Sequence, residues 1–102
     1  MRTLKYKVKG QNIIRDSKCD FTNIARGTDS YLKLEFNWDE DWKDKAKVIS
    51  LKNAEGEETN IVFNEKVVLP ANVTKGSMFS FVLYGKDFEE KIQTVREYVE
   101  QA

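Results

Sequence analysis

Two segments of this sequence alternate strictly between apolar and polar residues, and this alternation constrains the fold more than any other feature. In segment 3–9 every second residue is apolar, and the same is true of segment 31–38, which ends at Trp38. Successive side chains of a strand point to opposite faces, so a period of two indicates strands with one buried and one solvated face. The sequence therefore predicts a sheet protein.

Turn residues divide the rest of the chain into further short strands. The predicted strands are 18–24, 47–52, 60–63, 67–69 and 77–84. Segments 47–52 and 60–63 flank a turn at 53–56 and should form a hairpin. Pro70 ends its strand, because proline has no N–H to give to a neighbouring strand. Segment 77–84 is apolar on both faces, as in a covered central strand, and Gly85 ends it.

The pattern is less decisive between 39 and 44 and in the tail. Residues 39–44 are too polar for a strand, so we expect a loop or a single helical turn with Trp42 folded back onto the sheet. In the tail, Asp87 and Glu90 have the spacing of a helix capping box. Strand alternation fits the same tail, so the pattern leaves strand and helix open over 87–101.

These elements predict the fold class. The chain has 102 residues, the size of one domain. About seven or eight short strands with frequent turns are typical of an all-β protein, here a small antiparallel β-sandwich. We expect residues 1–102 to form that single domain.

The composition argues against catalysis. The chain has no histidine and one cysteine, and its five glycines are scattered one per turn. The chain thus lacks the residue that most often serves as general base or metal ligand, and it lacks the glycine pattern of a phosphate-binding loop. Cys19 alternates with Phe21 and is interpreted as a small core residue. We predict that the protein is not an enzyme, with no catalytic residue, no metal and no cofactor.

Charge, aromatic content and apolar length also bear on nucleic-acid and membrane binding. Seventeen basic and seventeen acidic residues cancel, so no broad field attracts a polyanion. The stripe Lys5, Lys7 and Lys9 has no aromatic residue on its face and is interpreted as protection of an exposed or edge strand. We therefore expect no nucleic acid. No apolar stretch approaches a membrane span, so we expect no membrane partner.

Two clusters invite more specific hypotheses. The acidic residues of segment 39–44 lack the spacing of a calcium loop and are interpreted as solvated. The aromatic residues Trp38, Trp42, Tyr31 and Tyr84 raise the alternative of sugar stacking. For the two tryptophans a core position is favoured, because Trp38 continues the inward face of its strand.

Several pieces taken in order resemble a known family. They are the opening strand 4–11, segment 31–36, Asp41-Trp42-Lys43, segment 47–53, Val68-Leu69-Pro70, Lys75-Gly76, Tyr84-Gly85 and Ile92-Gln93-Thr94. Together they resemble the β-sandwich domain of baseplate upper and minor tail proteins from phages and prophages of Gram-positive bacteria. The resemblance implies no site residues for catalysis. It implies structural positions at Trp42, Pro70, Gly85 and Thr94. The structural anchors predicted here are Trp42, Pro70 and Gly85, to which the pattern adds Trp38.

The resemblance also implies a function. It implies a non-catalytic structural or adaptor domain of the phage tail or baseplate, which docks onto other tail proteins and forms homo-oligomers. Such a protein is found in the virion, and in the bacterial host cytoplasm during assembly. Following the family, we take the tail as a strand, although the 87–90 insertion departs from the family pattern. The alternative is a binding module, either for cell-surface carbohydrate or for a host protein that it inhibits.

Overall fold

The chain folds into an all-β sandwich of two sheets. A computed structural model describes residues 1–102. The sheets contain nine strands: β1 (Arg2–Lys9), β2 (Asn12–Arg15), β3 (Leu32–Trp38), β4 (Ala46–Asn53), β5 (Glu58–Phe63), β6 (Lys66–Val68), β7 (Met78–Lys86), β8 (Lys91–Gln93) and β9 (Glu97–Glu100). A 3-10 turn (Glu40–Trp42) and one short helix, α1 (Ala71–Thr74), lie in the connections. The predicted fold class is confirmed.

The two sheets differ in strand order. Sheet 1 has the order β2-β1-β3-β6, and sheet 2 has the order β5-β4-β7-β8, with β9 also paired to β7. All pairs are antiparallel except β1 and β3, which run parallel with Leu4 opposite Leu34 and Tyr6 opposite Phe36. Strands β8 and β9 follow one another along the same edge of β7, at its two ends.

The core lies between the inward faces of the two sheets. It contains 18 buried apolar residues, among them the alternating positions of β1 and β3. Aromatic rings fill its centre. Phe36 and Phe81 meet edge to face at 5.7 Å, and Tyr6 stacks on Phe36 at 5.5 Å. The alternation in the sequence therefore identified the inward faces of these two strands correctly.

The predicted strand at 18–24 is wrong. After β2 the chain runs without regular structure to β3. Asn23 has a positive φ of 53°, and Asp20 accepts a hydrogen bond from the Thr22 N–H, as in an Asx turn. The Arg2 guanidinium donates to the carbonyl oxygens of Asp20, Thr22 and Asn23. Because a side chain satisfies these carbonyls, the segment needs no neighbouring strand.

Two smaller expectations also change, and the expectation of a strand in the tail is confirmed. Strand β1 is not at an edge, since β2 and β3 pair with it on both sides. Strand β7 does not end at Gly85 but continues to Lys86. The tail is the strand pair β8 and β9, so the helical alternative for 87–101 is not formed. Pro70 is separated from β6 by Leu69 and is the N-cap residue of α1, where its missing N–H costs nothing.

Trp42 joins the ends of the two sheets. Its side chain is fully buried, and its indole N–H donates to the Gly10 carbonyl at 2.7 Å. The ring lies on Gly85 so closely that a Cβ there would stand 2.7 Å from a Trp42 ring carbon. Trp38 is half-buried and stacks on Trp42 at 5.1 Å. Only glycine at 85 leaves room for this indole.

Replacing Trp42 by alanine should lower the free energy of unfolding by about 3–5 kcal/mol, because it removes a large buried ring and orphans the Gly10 carbonyl. Replacing the fully exposed Phe88 by alanine supplies the control and should cost little. Urea denaturation followed by circular dichroism measures both. A cost below about 1 kcal/mol for the Trp42 variant would contradict a core position.

Candidate functional site

The residue types that carry chemistry are not gathered at one place. No group of three or more His, Cys, Asp or Glu side chains is arranged to hold a metal ion. Cys19 is partly buried beside the core, with its Sγ 3.4 Å from the Thr3 carbonyl oxygen. Neither of the two short helices has the length or the apolar composition to cross a membrane.

The acidic segment 39–44 has a structural use. Asp39 caps the 3-10 turn by accepting from the Asp41 N–H at 3.0 Å, and its second oxygen accepts from the Gly10 N–H at 2.8 Å. Both carboxylate oxygens therefore hold backbone groups. Through these two hydrogen bonds, Asp39 connects the β1–β2 turn to the loop that contains Trp42.

The outward face of sheet 1 is basic. It carries Lys66, which lies 3.8 Å from Glu35, and four lysines without an ion pair: Lys5, Lys7, Lys9 and Lys33. Protection of an edge does not explain the lysines of β1, since that strand is internal. None of the outward-facing residues of its four strands is aromatic, and the one tyrosine of the same parity, Tyr31, precedes β3. These strands therefore lack the row of aromatic rings on which single-strand nucleic-acid binders stack bases.

The outward face of sheet 2 is different, because it carries an apolar row. Val62 of β5 lies opposite Val48 of β4, and Val48 lies opposite Tyr84 of β7. Val62 is 78% exposed, Tyr84 is also exposed, and Val48 is half-buried. We call Val62, Val48 and Tyr84 the apolar row. Apolar residues that are contiguous on an open sheet mark an interaction surface more often than scattered ones do.

An open strand edge adjoins the apolar row. Strand β5 pairs only with β4, so its other side has unpaired backbone groups. Val62 lies on this strand. Unpaired edges accept an added strand from a partner, through main-chain hydrogen bonds. The row and the edge together form the larger of the two docking candidates on the molecule.

The second candidate is a turn between β7 and β8. Residues 87–90, the Phe88 turn, carry a phenylalanine whose side chain is fully exposed. The Lys45 ammonium lies 2.8 Å from Glu90 and 3.5 Å from Asp87. Its hydrogen bond to Glu90 raises the pKa of Lys45, and the backbone N–H groups of Glu90 and Glu89 lower the pKa of Asp87. The turn is therefore fixed while its aromatic ring is free.

Three of the four predicted anchors, Trp38, Trp42 and Pro70, belong to neither docking candidate, whereas Gly85 directly follows Tyr84 of the apolar row on β7. Trp38, Trp42 and Gly85 pack together at the end of the sandwich, and Pro70 lies between β6 and α1. The tryptophans are unsuited to stacking on sugar, because Trp42 is buried and Trp38 is sandwiched against it. Of the two tyrosines, Tyr31 precedes β3, and Tyr84 belongs to the apolar row.

Sequence reasoning did not single out the apolar row. Its members lie on three segments that are separated in sequence, and only on β7 does the same strand face carry further large apolar residues, Met78 and Val82. Their pairing became visible only with the strand register. The available signal was that segments 48–51 and 61–63 have apolar residues at both parities, which a one-sided strand does not require.

Comparisons with known proteins add no family. No family model, curated protein sequence or solved structure matches the chain.

We expect the stability of the domain to be independent of calcium, because both oxygens of Asp39 already hold backbone N–H groups. Thermal unfolding with millimolar calcium and with a chelator should give the same Tm. Asp39→Ala is the positive control, since losing the cap should cost about 1 kcal/mol. A Tm that falls by several degrees with chelator would show that segment 39–44 binds metal.

Proposed function

We propose that this chain is a non-catalytic docking domain of a phage particle, with a structural or adaptor role in the tail or baseplate. Its partners would be other tail or baseplate proteins and further copies of itself. It would act in the virion, and in the cytoplasm of the bacterial host during assembly. No chemical step, cofactor or nucleic acid enters this function.

The observation that carries the docking function is the apolar row beside an open edge. Exposed apolar surface gains about 25 cal/mol for each Å² that a partner removes from water. The valines of the row lose little rotamer freedom on binding, since β-branched side chains are stiff. The neighbouring edge of β5 offers directional main-chain bonds. Together they give affinity and register without any catalytic group.

The tail or baseplate assignment rests on the family resemblance of the sequence. Trp42 and Gly85, two of the positions that carry the resemblance, support each other in the fold, as one packs directly on the other. That contact supports a shared architecture, whereas the identity of the partners comes from the resemblance.

One observation favours carbohydrate binding as a second candidate. Tyr84 and Tyr98 are both exposed on the outward face of sheet 2. Arg96 stands between the two tyrosines in the sequence, and its guanidinium donates to the Ser80 hydroxyl at 3.0 Å. Two aromatic rings and polar donors on one flat face are what a sugar chain needs. The tryptophans do not contribute to such a platform.

Replacing Val62 by aspartate should abolish docking, since it puts a charge into the centre of a desolvated contact. The matched control is Val68→Asp, which changes an exposed valine on the outward face of sheet 1. Calorimetric titration against tail and baseplate proteins of phages from Gram-positive bacteria measures the effect. We expect the Val62 variant to bind at least about tenfold more weakly and the Val68 variant to bind like the parent protein.

Equal binding by both variants would rule out the apolar row as the docking site. Failure of the parent protein to bind any of these tail proteins would overturn the phage assignment. Titration with cell-wall glycan tests the second candidate. A glycan affinity that falls with Tyr84→Ala and Tyr98→Ala, but not with Val62→Asp, would favour carbohydrate binding.

A further inference from the structure

Phe88 is presented to solvent by a structured turn. The Phe88 side chain does not pack into the core and is fully exposed in the turn 87–90. Yet its backbone is ordered by local bonds. The Asp87 N–H donates to the Glu90 carbonyl at 3.1 Å, and the Asp87 carboxylate accepts from the N–H groups of Glu89 and Glu90, both at 2.9 Å.

Lys45 fixes the turn to the body of the sandwich. Its ammonium lies between Glu90 and Asp87 and also donates to the Asp41 carbonyl at 2.7 Å. Its side chain is only 5% exposed. A side chain on such a fixed turn loses less entropy on binding than one on a mobile loop. Large aromatic side chains are the usual anchors of protein interfaces.

An open groove lies next to this turn on the same molecule. It has a volume of about 1040 Å³, and its lining includes Val48, Tyr84 and Ile92 together with Lys86 and Lys91. Two of these residues belong to the apolar row. A projecting ring therefore adjoins a groove that has both apolar and charged lining residues, at one end of sheet 2.

The charges around the groove are not balanced within the chain. Lys86 and Lys91 lie directly opposite each other on β7 and β8, and neither has an ion pair. Like charges in this position destabilise a strand pair. Glu89, beside Phe88, has no ion pair either. Asp41 also lines the groove and has no ion pair either. The groove thus has two unpaired positive charges against one unpaired negative charge, and the turn has one unpaired negative charge at Glu89.

We infer that a second copy of this chain binds here reciprocally, with Phe88 of each copy in the groove of the other and Glu89 near Lys86 and Lys91. A two-fold axis brings the same surface patch of both copies together. Because Phe88 lies beside the groove in that patch, each copy can place its Phe88 in the groove of the other. This inference names one partner for the proposed docking function and rests on it. Docking at Val62 does not require the reciprocal contact.

Sedimentation equilibrium over a concentration series tests the inference. The parent protein should form dimers, and Phe88→Ala should raise the dimer Kd at least about tenfold. Tyr31→Ala is the matched control, an exposed aromatic residue away from the groove, and should leave the Kd unchanged. Circular dichroism verifies that both variants are folded.

Charge exchange provides the sharper test. Glu89→Lys alone and the pair Lys86→Glu with Lys91→Glu should each weaken the dimer, whereas all three changes together should restore it. A parent protein that stays monomeric at the highest concentration, a Phe88→Ala variant that dimerises like the parent, or a triple variant without recovery would each overturn the inference. The titrations of the Val62 variant against tail proteins stay informative in all three cases, so the two proposals fail separately.

Discussion

The indole of Trp42 occupies the place where the ends of both sheets meet. Its N–H bonds the Gly10 carbonyl at the end of β1 in sheet 1, and its ring lies on Gly85 of β7 in sheet 2. The contact requires glycine at 85, because any Cβ would collide with the ring. The buried Trp42 ring and the glycine at 85 thus depend on each other. The Trp38 ring stacks on Trp42 on the side toward solvent.

The proposed docking surfaces depend on this contact between Trp42 and Gly85. The loop that contains Trp42 leads directly to Lys45, whose N–H donates to the Trp42 carbonyl at 3.3 Å. Lys45 then reaches the Phe88 turn with its buried ammonium. The ring of Phe88 is held out by contacts that lead back to Trp42. The buried contacts of Trp42 and Lys45 therefore restrain the Phe88 turn on the surface. A restrained surface loses less conformational entropy on docking than a mobile one.

How far the sequence predicts this structure depends on the range of the interactions. Strand faces such as those of β1 and β3 were predictable, because burial on one side imposes a period of two. Segment 18–24 was not, since the Arg2 guanidinium satisfies its carbonyls from another part of the chain. The anchors Trp42 and Gly85 were found, but their contact was not. The apolar row escaped prediction because strand register, which assembles it, is a long-range property.

The outward faces of the two sheets differ, because the strands of sheet 1 present mainly lysines there and no aromatic side chain, whereas those of sheet 2 present the apolar row and two tyrosines. Docking through the second of these faces is the central claim, and NMR amide shifts of labelled protein over a concentration series test it most directly. Shifts should concentrate at the Phe88 turn, Tyr84 and Gln93, while Lys5 and Lys33 on sheet 1 should stay unchanged. Shifts that appear on the lysine face instead, or no shifts at any concentration, would contradict the claim.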